Sequence, residues 1–147
     1  MPQEMQPPLK QPIGFWTARV GDAVRMRTRS RLAEIGVSQP AWWLLHQLSL
    51  HPDGVEDETV IATIGPNDTD QTIKDAIDDA LGKAWIERKV GRLVLTPSGA
   101  ETFRQASNVQ RELEIERRQG ITDSDYETAI RVLQRTARNV GSDAWHW

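Results

Sequence analysis

No cysteine occurs among the 147 residues. That excludes disulfides and thiolate metal sites, and it fits a cytoplasmic protein. No apolar run approaches the roughly 18 residues that a membrane span needs, so no membrane partner is expected. Positive charge is not in excess: 18 Lys and Arg stand against 21 Asp and Glu, a net charge of −3. Nothing global therefore favours nucleic acid or an anionic surface. A glycine-rich phosphate loop, a His-Glu-x-x-His motif and a Gly-x-Ser-x-Gly motif are all missing, so no cofactor is implied and no catalytic residue stands out. His51 and Asp53 lack two further ligands and do not make a metal site. Asp75, Asp78 and Asp79 fall together on one expected helix, and paired carboxylates can do acid–base work. A solvated helix face is the simpler reading. An enzyme is not the leading expectation, although a fold does not dictate function.

The organised stretch runs from Val55 to Gly99. Carboxylates at Glu56, Asp57 and Glu58 suit the start of a short helix, Glu56 to Ile64, where unpaired N–H groups and the helix dipole present positive charge. Gly65-Pro66 stops it. Asp68, with Gln71 three residues on, reads as a capping box for a second helix. Ile73, Ala76, Ile77, Ala80 and Leu81 recur at spacings of three and four and form its buried stripe. Gln71, Lys74, Asp75, Asp78 and Gly82 occupy its open face. Trp85-Ile86-Glu87-Arg88 and Arg92-Leu93-Val94-Leu95-Thr96 then read as paired strands joined tightly by Lys89-Val90-Gly91, with positive φ expected at the glycine. Ser98 with Glu101 reads as a second capping box, opening a long helix over 98–119. Two short helices, a hairpin and a long helix make a winged helix-turn-helix, mainly α with a small β-hairpin wing.

The rest of the chain is helical scaffold. Residues 1–12 hold three glutamines and four prolines without an apolar signal core, and read as a flexible arm. Residues 13–35 form a helix whose apolar stripe is Ile13, Trp16, Val20 and Val24, with Gly36 as its stop. Its arginines, Arg19, Arg25, Arg27, Arg29 and Arg31, are first a solvated, dipole-favoured helix face; phosphate contact or a salt-bridged seam is the alternative. Ser38 caps a second helix, Gln39 to Leu50. Trp42, Trp43, Leu44, Leu45, Leu48 and Leu50 leave it almost no polar face, so burial on most sides is expected. His46 among them reads as a hydrogen-bonded core residue before a ligand contact. Thr122 caps the last helix, with Ile121 and Tyr126 at staple positions and Tyr126, Ala129, Ile130, Leu133, Ala137 and Val140 as its stripe. The terminal Trp145 and Trp147 need a docking surface, such as a partner chain, to leave water.

The order of these segments resembles the MarR family of bacterial regulators. The closest matches are "AWIER", then "LVLTPSGAE", and "IGVSQPAWWLLHQLSLHP". The resemblance covers roughly Ile13 to Val140. It implies a MarR-like homodimeric winged-helix protein: a single unit over 13–147, with 13–35 and 121–141 as dimerisation helices, 55–99 as the DNA-reading part and 98–119 as the linking helix. It further implies that Gln71, Thr72 and Lys74 approach base edges or phosphates of double-stranded DNA, and that Arg88, Lys89 and Arg92 of the wing touch the minor groove or phosphates. A small aromatic or apolar ligand would be lined by Phe15, Trp16, Trp42, Trp43 and His46. The alternative for these aromatics is simple core packing.

Three departures from that pattern stand out. Asp75 lies where the family commonly has arginine. The wing is clipped. Between Asp53 and Phe103, 11 acidic residues face 5 basic ones, a net of −6, whereas DNA affinity comes largely from cations that displace counterions at phosphates. The leading expectation is a ligand-responsive MarR-like transcription regulator. The alternative is a MarR-fold dimer that has lost DNA binding and serves as a small-molecule-binding protein or a repurposed enzyme.

Overall fold

A computed structural model of the chain describes residues 4–142. The tryptophans of the C-terminal tail lie outside the described residues. The chain divides into two compact units, Met1–Gln110 and Arg111–Trp147.

In the first unit a 3-10 turn at Pro8–Lys10 precedes helix α1, Ile13–Ala33. Only the C-terminal half of α1 buries side chains, at Thr28 and Leu32. Ile13, Phe15, Trp16 and Val20 of its other half are exposed. The helix ends two residues before the expected Ile35. Gly36 at φ +73° turns the chain; Val37 N–H donates to the Leu32 carbonyl and Gly36 N–H to the Ala33 carbonyl, both at 3.0 Å, the bond pair of a Schellman motif. Helix α2, Gln39–Ser49, is capped by Ser38, whose Oγ accepts from Ala41 N–H at 3.2 Å. Ala41, Leu44, Leu45 and Leu48 are buried. Burial is narrower than the expected burial on most sides: Trp42 and Trp43 are half-buried, and His46 and Leu50 are exposed. The four buried residues follow one another by three, one and three positions, which fills a single face.

Helix α3 is Asp57–Ile64, with Glu56 as its N-cap, and the chain continues through a 3-10 turn at Gly65–Asn67. Helix α4 is Asp70–Gly82. Its cap falls one residue later than expected: Thr69 Oγ1 accepts from Thr72 N–H at 3.1 Å. Asp68 instead accepts from the Thr72 hydroxyl at 3.2 Å, and Gln71 turns forward to Asp75 at 2.9 Å. Thr69 and Asp68 thus both hold the first turn of α4 through Thr72. Ile73, Ala76, Ile77 and Ala80 are buried as the spacing required, with Leu81 half-buried.

Strands β1 (Ile86–Lys89) and β2 (Arg92–Leu95) are antiparallel, pairing Ile86 with Leu95, Arg88 with Leu93 and Lys89 with Arg92. Lys89 is therefore part of the strand, and the connection shrinks to Val90-Gly91. Val55 bridges the free edge of β2 through two backbone bonds to Leu93, at 3.0 and 2.8 Å. Helix α5, Pro97–Arg118, starts from Thr96, whose Oγ1 accepts from Gly99 N–H at 3.0 Å. The expected Ser98–Glu101 box is thus displaced, and Glu101 pairs with Arg104 instead. Gly99 is required by close approach: a Cβ there would lie 1.8 Å from the Trp85 carbonyl oxygen. Leu44, Leu45, Leu48, Val60, Ile64, Ile73, Ile77, Ile86 and Leu93 form one core from α2, α3, α4 and the hairpin.

The second unit holds the end of α5 and helix α6, Asp123–Asn139. Thr122 Oγ1 accepts from Asp125 N–H at 3.1 Å, the cap that the sequence indicated. The Arg118 guanidinium lies 3.7 Å over the Tyr126 ring. No residue of α6 is buried, and Ile130, Leu133 and Val140 of its stripe are exposed. Among the described residues, no helix is long and apolar enough to cross a membrane.

Candidate functional site

The buried stripe of α4 packs on α2 and α3 and turns the opposite face outward. Gln71, Lys74, Asp75, Asp78 and Asp79 are exposed there, and Thr72 is half-buried at the N-terminal end. Lys74 makes no ion pair among the described residues. Gln71 is engaged by Asp75, and Thr72 by Thr69 and Asp68. The two residue types best suited to base edges are therefore held by acidic or hydroxyl neighbours, and they must exchange those bonds for any made to a nucleic acid.

The hairpin supplies the second group of cations. Strand alternation puts Arg88 on the same face as buried Ile86, towards α3 and α4. There its guanidinium grips the Asp57 carboxylate with two bonds, Nη1 to Oδ1 at 2.5 Å and Nη2 to Oδ2 at 2.8 Å. These bonds hold the Asp57 carboxyl below its ordinary value of 3.8, against a smaller opposing effect of partial burial. Asp78 adds a further negative charge acting on Arg88. Arg88 thus ties the wing to the first turn of α3. Lys89 and Arg92 lie at the tip, directly opposite one another, with Lys89 Nζ 3.3 Å from Glu87. Asp53 and Glu56 share with them the cleft beside the wing.

The aromatic residues fall into two groups. Trp42 stacks on Phe103 with ring centroids 5.6 Å apart and planes 5° from parallel, and His46 lies against both rings at 5.5 and 6.3 Å. Trp43 packs on the core. His46 is therefore an exposed ring on an aromatic ledge rather than a core histidine. Nothing in the sequence marked Phe103 as the partner of Trp42. Phe15 and Trp16 form a separate edge-to-face pair, 5.3 Å between centroids. They line a cavity of about 190 Å³ with Met5, Gln6, Lys10 and Gln11. Trp16 Nε1 donates to Gln11 Oε1 at 2.5 Å, and Gln11 donates to the Gln6 carbonyl. Among the described residues no ring contact joins the two groups.

The arginines of α1 have partners on their own helix or the next. Arg19 lies 3.4 Å over Phe15, Arg25 pairs with Asp22, Arg29 donates to Gln39, and Arg31 pairs with Glu34. Among the described residues, no cluster of three or more His, Asp or Glu side chains could hold a metal ion.

No protein-family model matches the chain, and no curated protein matches it in sequence. Solved structures do match. A MarR family transcriptional regulator from Silicibacter pomeroyi has a TM-score of 0.74 at 19% identity, over 87% of this chain and 92% of that one. A MarR family regulator from Rhodococcus sp. RHA1 has a TM-score of 0.72 at 22% identity, over 85% and 93%. A Mycobacterium tuberculosis MarR family protein, solved in complex with DNA, has a TM-score of 0.68 at 21% identity, over 90% and 100%; the same protein has also been solved with salicylic acid. With α2, α3, α4, the hairpin and α5 in the order described, the chain has the winged helix-turn-helix fold of MarR family transcriptional regulators.

Proposed function

We propose that the protein is a homodimeric DNA-binding transcription regulator that responds to a small aromatic or apolar ligand. The observation that carries this reading is the assembled reading unit: an α4 whose outer face presents Lys74, Gln71 and Thr72, beside a wing tipped by Lys89 and Arg92. The mycobacterial neighbour of this fold was solved on DNA. In this arrangement α4 enters the major groove with its N-terminal residues leading. Lys89 and Arg92 meet phosphates, and Arg88 positions the wing through Asp57. Exposed apolar stripes on α1 and α6 support the dimer, in which a second copy removes them from water. Sedimentation at micromolar concentration should give about twice the 16.6 kDa chain mass. The open groove of about 190 Å³ at Phe15 and Trp16 supports a small aromatic ligand, since two ring faces are exposed to it.

The test is fluorescence anisotropy of labelled duplex from the DNA preceding the protein's own gene, at several salt concentrations. Lys74, Lys89 and Arg92 of two chains limit the slope of log affinity against log salt to about −5. The second reading, a dimer of this fold that no longer binds DNA, is favoured by the surplus of carboxylates on α3 and α4 and by the bonds that already occupy Gln71 and Arg88. Failure to bind duplex near 50 mM salt, with or without aromatic acids, would select it.

A further inference from the structure

We infer that the outer face of the hairpin holds a site for a small zwitterion, an α-amino acid with an aliphatic side chain. Val90 and Gly91 have φ of +51° and +75°, the pair of positive values that a two-residue type I′ turn demands. This turn sets Lys89 directly opposite Arg92. Side chains alternate along a strand, so both cations stand on the face away from Arg88. The turn that precedes α3 packs against that same face. Gly54, at φ +94°, lies so close to β2 that a Cβ there would come 2.8 Å from Arg92 Cβ and 3.0 Å from Val94 Cγ1. The next residue, Val55, is bonded through its backbone to Leu93. The two segments are therefore fixed against each other. Beside them runs an open cleft of about 570 Å³, whose lining includes Pro52, Asp53, Glu56, Lys89, Arg92 and Val94.

The charges in this cleft are opposite in sign, yet they do not satisfy one another. Among the described residues, Asp53, Glu56 and Arg92 make no ion pair, and Lys89 is engaged only by Glu87 of its own strand, 3.3 Å away. A simple anion on Arg92 and Lys89 would stand beside two carboxylates. A simple cation on Asp53 and Glu56 would stand beside two cations, and two carboxylates fall short of the ligand set of a hard metal ion. A molecule that carries both signs answers both pairs and leaves neither repelled. An α-amino acid holds carboxylate and ammonium on one carbon. Its carboxylate takes two parallel bonds from the Arg92 fork, with Lys89 alongside. Its ammonium, which only donates, faces Asp53 and Glu56. An aliphatic side chain lies on Pro52 and Val94, the apolar part of the lining. The charged groups are open to water, so each pair contributes little and the site is a low-affinity one.

The test is a titration of the isotope-labelled protein with L-leucine at low salt, read by amide chemical shifts. Two analogues run beside it: L-leucinamide, which lacks the carboxylate, and N-acetyl-L-leucine, which lacks the ammonium. L-Leucine should shift the amides of Gly54 and Arg92 saturably, with half-saturation at about 1–10 mM. Each analogue should bind about threefold more weakly or worse, the scale of one exposed charge pair. Arg92→Gln and Glu56→Gln should each weaken L-leucine by a similar factor while circular dichroism shows the fold retained. N-acetyl-L-leucine bound as tightly as L-leucine would make this an anion site, and L-leucinamide bound as tightly would make it a cation site; either result overturns the inference. So does L-leucine that gives no saturable shift by about 50 mM, or shifts confined to the groove at Phe15 and Trp16. No duplex enters the measurement, so its outcome is independent of whether the protein binds DNA.

Discussion

The bond between Arg88 and Asp57 separates two roles for the arginine, and a double-mutant cycle tells them apart. Asp57→Asn, Arg88→Ala and the double variant are the perturbations. Both partners are partly open to water, with side chains 46% and 33% exposed, so screening limits the pair to about 0.5–1 kcal/mol, at the upper end because the grip is bidentate. Asp57→Asn also removes a carboxylate from the first turn of α3, worth roughly a further 0.3–1 kcal/mol. Each single variant should therefore lose about 1 kcal/mol or slightly more. The double variant should lose less than their sum, by the pair energy. Urea unfolding reads these differences, and Tm should fall by about 2–4 °C per kcal/mol in a chain of this size. The sign of the pH dependence follows from the lowered carboxyl. Its contribution is fully present above the ordinary value of 3.8 and is lost only as pH falls through the lower folded value. The coupling should accordingly be equal at about pH 7 and about pH 5. If Arg88 anchors the wing and does not touch DNA, Arg88→Ala should leave the salt slope of DNA binding unchanged. Strictly additive single variants would refute the anchor. A slope reduced by about 0.9 for each Arg88 would show that the arginine leaves Asp57 to hold a phosphate.

Gly99→Ala should destabilise by about 1–3 kcal/mol, measured by thermal melting, because the new methyl meets the Trp85 carbonyl, whereas Gly→Ala in an open helix usually stabilises; a raised Tm would mean that α5 does not start against the hairpin. Asp75→Arg replaces a repulsive charge on the outer face of α4 and frees Gln71, so it should strengthen non-specific duplex binding severalfold in anisotropy and steepen the salt slope by up to about 0.9 per chain. Aromatic acids should quench tryptophan fluorescence saturably, and Trp16→Leu should remove most of that response while Trp42→Leu should not, since only Trp16 lines the cavity at the head of α1.

The fold was legible where one physical signal acted alone. The stripe of α4 depends only on helical spacing, and Ile73, Ala76, Ile77 and Ala80 are buried as that spacing required. Boundaries were less legible where several residues could do the same work. Asp68, Thr69 and Asp70 all suit the start of α4, and the choice of Thr69 depends on which side chain reaches the Thr72 N–H. Thr96 took the cap of α5 from Ser98 for a similar reason: its hydroxyl also donates to the Ala84 carbonyl at 2.6 Å, a long-range bond that local pattern does not contain. His46 and Leu50 were read as core because the apolar residues of α2 leave it almost no polar face, yet the elements packed on α2 cover only part of it. At the candidate site, residue types were legible but their partners were not. Arg88 and Asp57 are 31 positions apart, and no spacing rule joins a strand to the first turn of a helix that distant. Val90 carried no sequence signal beyond its place in a tight connection, because its left-handed backbone follows from the register that made Lys89 part of the strand.

Ion pairs fix where the acidic surplus of the reading unit lies without reducing it, because Lys83, Arg88 and Lys89 are already counted in its net charge. Of its carboxylates, Asp57 is neutralised by Arg88, Asp79 by Lys83 at 2.9 Å, and Glu87 is shared with Lys89. Glu101 lies on α5 with Arg104. The acidic groups on the outer face of α4 and at its N-terminus are Asp68, Asp70, Asp75 and Asp78, while Asp53 and Glu56 stand beside Lys89 and Arg92 at the wing; Asp68 and Asp75 accept hydrogen bonds from the residues expected to read bases. Two of the obstacles to DNA are thus also the groups that hold Thr72 and Gln71 in place. A duplex that approaches α4 gains contacts only by replacing those bonds, so the exchange yields little net affinity at Gln71 and Thr72. The larger gains fall to Lys74 and to the tip pair Lys89 and Arg92, none of which gives up a strong bidentate partner. Affinity in this chain should consequently reside in the wing more than in the recognition helix. Under the DNA-binding reading proposed above, that division predicts a weak, salt-sensitive grip on many sequences.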